Sequence, residues 1–263
     1  MSELFANQLA DGAGAPVVLS HALGLDHAMW SDWAATQAGR RPVLAYDHVG
    51  HGRSPPPSRG VTMRTLVEDG AQVVERWNRG PVVWIGLSMG GMVGQGLAIG
   101  RHDLLRGVVL ANTTAVYPDA GKAAWAQRIA AVRSGGMAAV ADLVVQRYLH
   151  EDFRLTHPLD VAQLRARILA NDATAYAAVC QAIADVDWLD SLHGIALPTL
   201  VLAGALDAGA TPAMAEAIAS RIPGAHLEVL PGASHLSVVE QPAAFGKFVD
   251  AFLTTIDESR GAA

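Results

Sequence analysis

Three side chains in this sequence could together make and steer a nucleophile: Ser88, Asp207 and His235. A serine hydroxyl attacks poorly until a base takes its proton and an acid orients that base. Ser88 stands in Gly86-Leu87-Ser88-Met89-Gly90, where a β-branched run meets a small-residue segment of helical character. A serine on a sharp strand-to-helix turn is pushed out above the sheet. The residues two before and two after it must then be tiny, because a Cβ there would collide with the turn. A serine presented in this way draws its acid and then its base from beyond later strand ends. Asp207 follows "LVLAGAL" and His235 follows "LEVLPGAS", so both fall in the required order just past predicted strands.

Other titratable residues fit this role less well. His48 and His51 belong to "YDHVGHGRS", a predicted loop in which they read as structural. His21, which begins "HALG", is expected to shape a loop rather than transfer protons. Asp185, Asp187 and Asp190 lie in helical or linker context, where solvated or capping roles are simplest. The oxyanion of a tetrahedral intermediate needs preorganised donors, usually two backbone N–H groups. Met89, at the start of the helix after Ser88, is expected to supply one, helped by the helix dipole. Leu23, in the loop after "PVVLS", is expected to supply the other.

Those residues need elements to hold them. Short apolar runs at 15–20, 41–47, 81–86 and 105–112 read as buried strands, and a helix with Leu66, Val67, Val73 and Val74 on one stripe is predicted over 62–77. Strand signals return at 198–204 and 225–230. Strands alternating with helices predict an α/β fold with a mostly parallel central sheet flanked by helices. From about 120 to 185 the pattern is helical throughout, with breaks at Ser134–Gly136, Thr156–Pro158, and Asn171 with Asp172. That stretch reads as an inserted helical cap. The expected division is a core of 1–114 and 188–263 and a cap of 115–187.

Composition narrows the class. The 263 residues are 51% apolar and 17% charged, the balance of a folded globular chain. A formal charge of -6 without a basic run argues against a nucleic-acid partner. The single cysteine, Cys180, rules out an internal disulfide or a cysteine-rich zinc site. The "NTT" at Asn112 fits a glycosylation acceptor only by chance if the protein stays inside the cell. No apolar segment is long enough for a membrane span, and the start of the chain lacks basic and apolar signal regions. The expectation is a soluble, cytoplasmic protein with a small-molecule partner. Phosphate-loop, zincin and dinucleotide fingerprints are missing, so no metal and no cofactor is expected.

Taken in order, "SHALGLDHAMW", "YDHVGHGRS", "GLSMGGMVGQGLA", "ALDAGATPAMAEAIASRIPGA" and "ASHLSVVEQPAAF" resemble the α/β-hydrolase superfamily over nearly the whole chain. Within it, "SMGGMVGQ", "WAQRIAAVRSGG", "NDATAYAAVCQAIADVD" and "SHLSVVEQP" are most similar to the 3-oxoadipate enol-lactonases of aromatic-compound degradation. The chain has Val49 where that family usually carries an arginine, and Tyr148-Leu149 where it often carries tryptophan-phenylalanine. The resemblance implies a serine hydrolase with a Ser88-Asp207-His235 triad that opens a small carboxylated enol-lactone through an acyl-enzyme. A carboxylesterase, a C–C bond hydrolase of the same fold, or a receptor retaining the triad are the alternatives. A carboxylated substrate needs a cationic partner away from the reacting carbon. Trp125 and Arg128, three apart on a predicted cap helix, share a face and also match the lactonase cap. The simpler alternative is a solvated arginine on an amphipathic helix.

Overall fold

The computed structural model describes residues 3–261. Seven strands form one sheet: β1 (Ala6–Ala10), β2 (Val17–Ser20), β3 (Val43–Tyr46), β4 (Val82–Leu87), β5 (Leu105–Ala111), β6 (Thr199–Gly204) and β7 (His226–Leu230). Their spatial order is β1-β3-β2-β4-β5-β6-β7, parallel throughout except that β1 pairs antiparallel with β3. In β2, β3, β4 and β6 every residue is buried, which is why these segments read as unbroken apolar runs. The two edges differ. Strand β1 is mostly exposed and lacks β-branched residues, so its pairing with β3 rather than its own sequence makes it a strand.

The helices are α1 (Ser31–Ala35), α2 (Met63–Trp77), α3 (Met89–Gly100), α4 (Asp119–Gly135), α5 (Ala141–Tyr148), α6 (Glu151–Thr156), α7 (Pro158–Leu169), α8 (Ala173–Ala184), α9 (Pro212–Arg221), α10 (Ser237–Glu240) and α11 (Pro242–Gly261). Helix α2 begins at a capping box in which Thr62 and Thr65 satisfy each other's backbone N–H groups. It buries Leu66, Val73 and Val74, whereas Val67 lies at the margin of that face. Helix α3 is buried along nearly its full length.

Between β5 and β6 the elements are all helical, from α4 to α8, and an isolated bridge between Val116 and Asp187 draws the two ends of the segment together. The breaks predicted at 134–136, 156–158 and 171–172 coincide with element ends. The separation of α5 from α6 carries no glycine or proline, and α5 ends there in two buried residues, Tyr148 and Leu149. Among the described residues no helix is long and apolar enough to cross a membrane.

Candidate active site

The strand-to-helix turn at the end of β4 carries Ser88 with φ 58° and ψ −113°, one of three non-glycine residues with positive φ among the described residues. Its N–H donates to Ala111 O at 2.8 Å, and its carbonyl accepts from the Thr113 hydroxyl at 2.7 Å. Both partners lie at the end of β5, so neighbouring strands impose the strained conformation. A Cβ on Gly86 would come within 2.1 Å of Gly90 O, and one on Gly90 within 2.1 Å of Ser20 O. The first clash lies inside the turn, as expected from the sequence. The second is with the end of β2, a contact between elements.

Asp207 lies three residues beyond β6 and His235 five beyond β7, and the sheet brings them together. His235 Nδ1 donates to Asp207 Oδ2 at 2.7 Å. Both are buried, at 3% and 5% exposure, and Ser88 is 8% exposed. Burial, the strongest single influence, pushes the Asp207 carboxyl up. The His235 charge and hydrogen bonds from His235, Ala210 and Asn112 together outweigh it and hold the group below the usual carboxylate range. Asp207 Oδ1 also accepts from Gly209 N at 2.7 Å and Ala210 N at 2.9 Å. An ionised Asp207 fixes the His235 proton on Nδ1 and leaves Nε2 as the basic nitrogen.

Asn112, one residue past β5, is a member of this network that sequence reasoning missed. It is fully buried with φ 46°, and its Nδ2 donates to Asp207 Oδ2 at 3.1 Å and to Ser234 O at 3.0 Å. Ser237 in turn donates to Asn112 Oδ1. No local signal marks it, because its partner Asp207 stands 95 residues away in the sequence. Glu240 was also overlooked. Its carboxylate accepts from His150 N and from Ser234 N, both at 2.6 Å, and so bridges the helical segment to the loop of His235.

Met89 is the first residue of α3, where helix N–H groups lack intrahelical acceptors, and Leu23 lies in the turn after β2. The packing of Gly90 on Ser20 places these two segments side by side. His21, His48 and His51 form a separate buried group. His21 Nδ1 donates to Ala22 O at 2.8 Å, while its Nε2 accepts from His48 N at 2.9 Å. His48 Nε2 pairs with the Ser20 hydroxyl at 2.8 Å, and His51 Nδ1 with Val49 O at 3.0 Å. Asp185 pairs with Gln181, and Asp190 with Arg221, both at the surface. No three His, Cys, Asp or Glu side chains among the described residues form a group suited to a metal ion.

Trp125 and Arg128 do share a face, with the guanidinium 4.6 Å from the indole centroid. Arg128 is only 8% exposed, which overturns the expectation of a solvated arginine. No carboxylate pairs with it among the described residues. Burial opposes its charge, and the buried Tyr176, Tyr148, Tyr117 and Cys180 around it are neutral, yet a guanidinium keeps its proton under these conditions. The Tyr176 hydroxyl beside it has no hydrogen-bond partner of good geometry. Trp125, Arg128 and Arg147 line a cavity of about 620 Å³ that reaches Ala208 and Gly209, next to Asp207. A second cavity of about 650 Å³ lies between the β2 and β3 loops and α7, and Ser88, Asp207 and His235 do not line it.

A family model for the alpha/beta hydrolase fold matches residues 15–242. The chain belongs to this family and is a hydrolase. It is 33% identical over 237 residues to 3-oxoadipate enol-lactonase 2 of Acinetobacter baylyi, covering 90% of this chain and 88% of that one. Among solved structures it resembles the enol-lactonase from Burkholderia xenovorans, with a TM-score of 0.92 and 34% identity over 96% of this chain and 97% of that one. It also resembles a thermophilic esterase from Thermogutta terrifontis, determined with malate bound, with a TM-score of 0.89 and 30% identity over 97% and 94% of the two chains.

Proposed function

We propose that the protein opens a small carboxylated enol-lactone of the 3-oxoadipate type through an acyl-enzyme on Ser88. The observation that carries this reading is a buried arginine with no carboxylate partner among the described residues, lining a cavity that reaches Ala208 and Gly209, the neighbours of Asp207. An unpaired buried cation is costly, and a substrate carboxylate would relieve that cost. The similarity to two enol-lactonases supports the reading. Residues 115–187 act as a cap, and residues 1–114 with 188–263 as the catalytic core.

In the reaction His235 Nε2 takes the Ser88 proton as Oγ attacks the ring carbonyl. The Leu23 and Met89 N–H groups hold the oxyanion. The intermediate collapses by breaking the ring C–O bond, and His235 returns its proton to the enol oxygen. The enol tautomerises to a ketone, which makes ring opening hard to reverse. His235 then deprotonates a water that attacks the acyl carbon, and the Ser88 oxygen leaves with that proton. Asp207 holds the imidazole in the required tautomer and stabilises its charged form.

The likeness to a malate-bound esterase favours one further reading, a carboxylesterase whose substrates bear a carboxylate. Comparing an enol-lactone acid, a linear carboxylated ester and a neutral aryl acetate, on wild type and Arg128→Ala, separates the two. The expected result is fastest turnover of the lactone, with Arg128→Ala losing about ten- to a hundredfold in kcat/KM on the acids, the equivalent of a charge-assisted hydrogen bond. The neutral acetate should be spared. An equal loss on all three would show damaged cap packing, and preference for the linear ester would favour the esterase.

A further inference from the structure

The loop after β2 carries the Leu23 N–H, and its own residues rigidify it only in part. It runs through Gly24, at φ 76°, and is too short for internal structure beyond one turn bond from Leu25 N to Ala22 O. A backbone donor is aimed only as well as the peptides around it are fixed. Here three consecutive carbonyls are held by side chains. Ala22 O accepts from His21, within the core. Leu23 O accepts from the Tyr148 hydroxyl at 2.8 Å, and Gly24 O accepts from Asn171 Nδ2 at 2.9 Å.

Tyr148 ends α5 and Asn171 lies between α7 and α8, so two separate parts of the cap grip adjacent peptides of one core loop. Tyr148 also packs its ring against the His235 imidazole, with centroids 4.9 Å apart, and its carbonyl accepts from Leu236 N at 3.0 Å. Burial raises the Tyr148 phenol well above its ordinary value, so it stays protonated and can donate.

We propose that Tyr148 and Asn171 are positioning residues that complete the oxyanion site from the cap, so that Leu23 N–H is aimed for catalysis only while the cap is seated. This rests on the serine mechanism and on Leu23 as an oxyanion donor. A seated cap couples substrate enclosure to transition-state stabilisation. An open cap leaves Ser88 beside an oxyanion site with one aimed donor.

Tyr148→Phe tests this, because it keeps the ring on His235 and removes only the donated hydrogen bond. The readouts are kcat and KM on a neutral aryl acetate, the pH profile, and inhibition by an aryl trifluoromethyl ketone. Ser88 adds to such a ketone to form a hemiketal oxyanion. The expected result is a kcat lower by about ten- to a hundredfold, less than or equal to the loss of a whole donor. The inhibitor should weaken by a similar factor, with KM and the pH profile unchanged. Asn171→Ala should act the same way. Because Asn171 also bonds Arg167 O and Ile168 O, it is scored on the folded fraction at matched thermal stability. Wild-type kcat and inhibitor affinity in Tyr148→Phe would overturn the proposal while leaving the serine mechanism standing. A rise in KM with unchanged inhibitor affinity would also overturn it, by showing a substrate contact. Turnover surviving in Ser88→Ala would remove the underlying mechanism and the proposal with it.

Discussion

A group of three histidines and a single fourth, His235, lie in the loops at one end of the sheet, and the partners around them give them opposite characters. His21, His48 and His51 pack ring to ring, with His21 centroids 4.7 Å from His48 and 5.3 Å from His51. Their nitrogens bond to main-chain groups and to the Ser20 and Tyr46 hydroxyls, and no carboxylate of the described residues touches them. Burial, followed by mutual repulsion where they face one another, pushes His48 far down and His51 to about 3. They are neutral struts. His235 is buried to a similar degree but has Asp207 at 2.7 Å, and that carboxylate is itself held by three further hydrogen bonds, from Asn112, Gly209 and Ala210. A histidine buried without a carboxylate carries structure, whereas one buried against an ionised, well-solvated-by-protein carboxylate can cycle a proton.

The largest expected effect breaks this contrast at its active end. His235→Ala should lower kcat by at least about a thousandfold while leaving thermal stability near wild type. Turnover of an aryl acetate and a melting curve on the same preparation check it. A loss of stability with modest loss of turnover would make His235 a strut as well.

His48→Ala probes the other group and should show the reverse pattern. Leaving the Ser20 and Tyr46 hydroxyls short of a buried partner should cost about 1–3 kcal/mol of stability in urea unfolding. The folded fraction should retain kcat within about tenfold of wild type. A collapse of kcat without destabilisation would place His48 in the proton path.

The smallest effect is on pH dependence and sharpens the same distinction. The folded-state values of His21, His48 and His51 lie below the ordinary 6.5, so below that pH the unfolded chain takes up protons that the folded chain refuses. Stability should therefore fall as pH drops below about 6.5, and for His51 the loss continues toward about 3. Each histidine contributes up to about 1.4 kcal/mol per pH unit. His51→Asn should flatten the dependence of urea midpoints between about pH 6.5 and 5.5 by that increment. An unchanged slope would mean that His51 is protonated in the folded protein.

The legibility of the sheet follows from burial. Strands β2 to β6 are covered on both faces and announce themselves as apolar runs, whereas β1 owes its existence to a neighbour and left no pattern. Ser88 is legible because its turn demands glycines at fixed offsets, and Asp207 and His235 because strand ends point to them. Asn112 is obscure for the opposite reason. Nothing local marks it, and its value comes from standing beside Asp207, 95 residues away, across the gap between β5 and β6. Arg128 is the sharpest case, since three-residue spacing predicts its pairing with Trp125 but says nothing about which side faces water.

By itself the sequence determined the alternation of strands and helices, the strained serine turn and the order of acid and base. All of these depend on local sterics and periodicity, which act over a few residues. Only the tertiary structure decided that His235 meets Asp207, that Arg128 is buried without a carboxylate, and that Tyr148 and Asn171 reach back to Leu23 and Gly24. Those outcomes join residues from 28 to 147 positions apart, and such contacts are set by how the helical segment packs on the sheet, which no local pattern encodes.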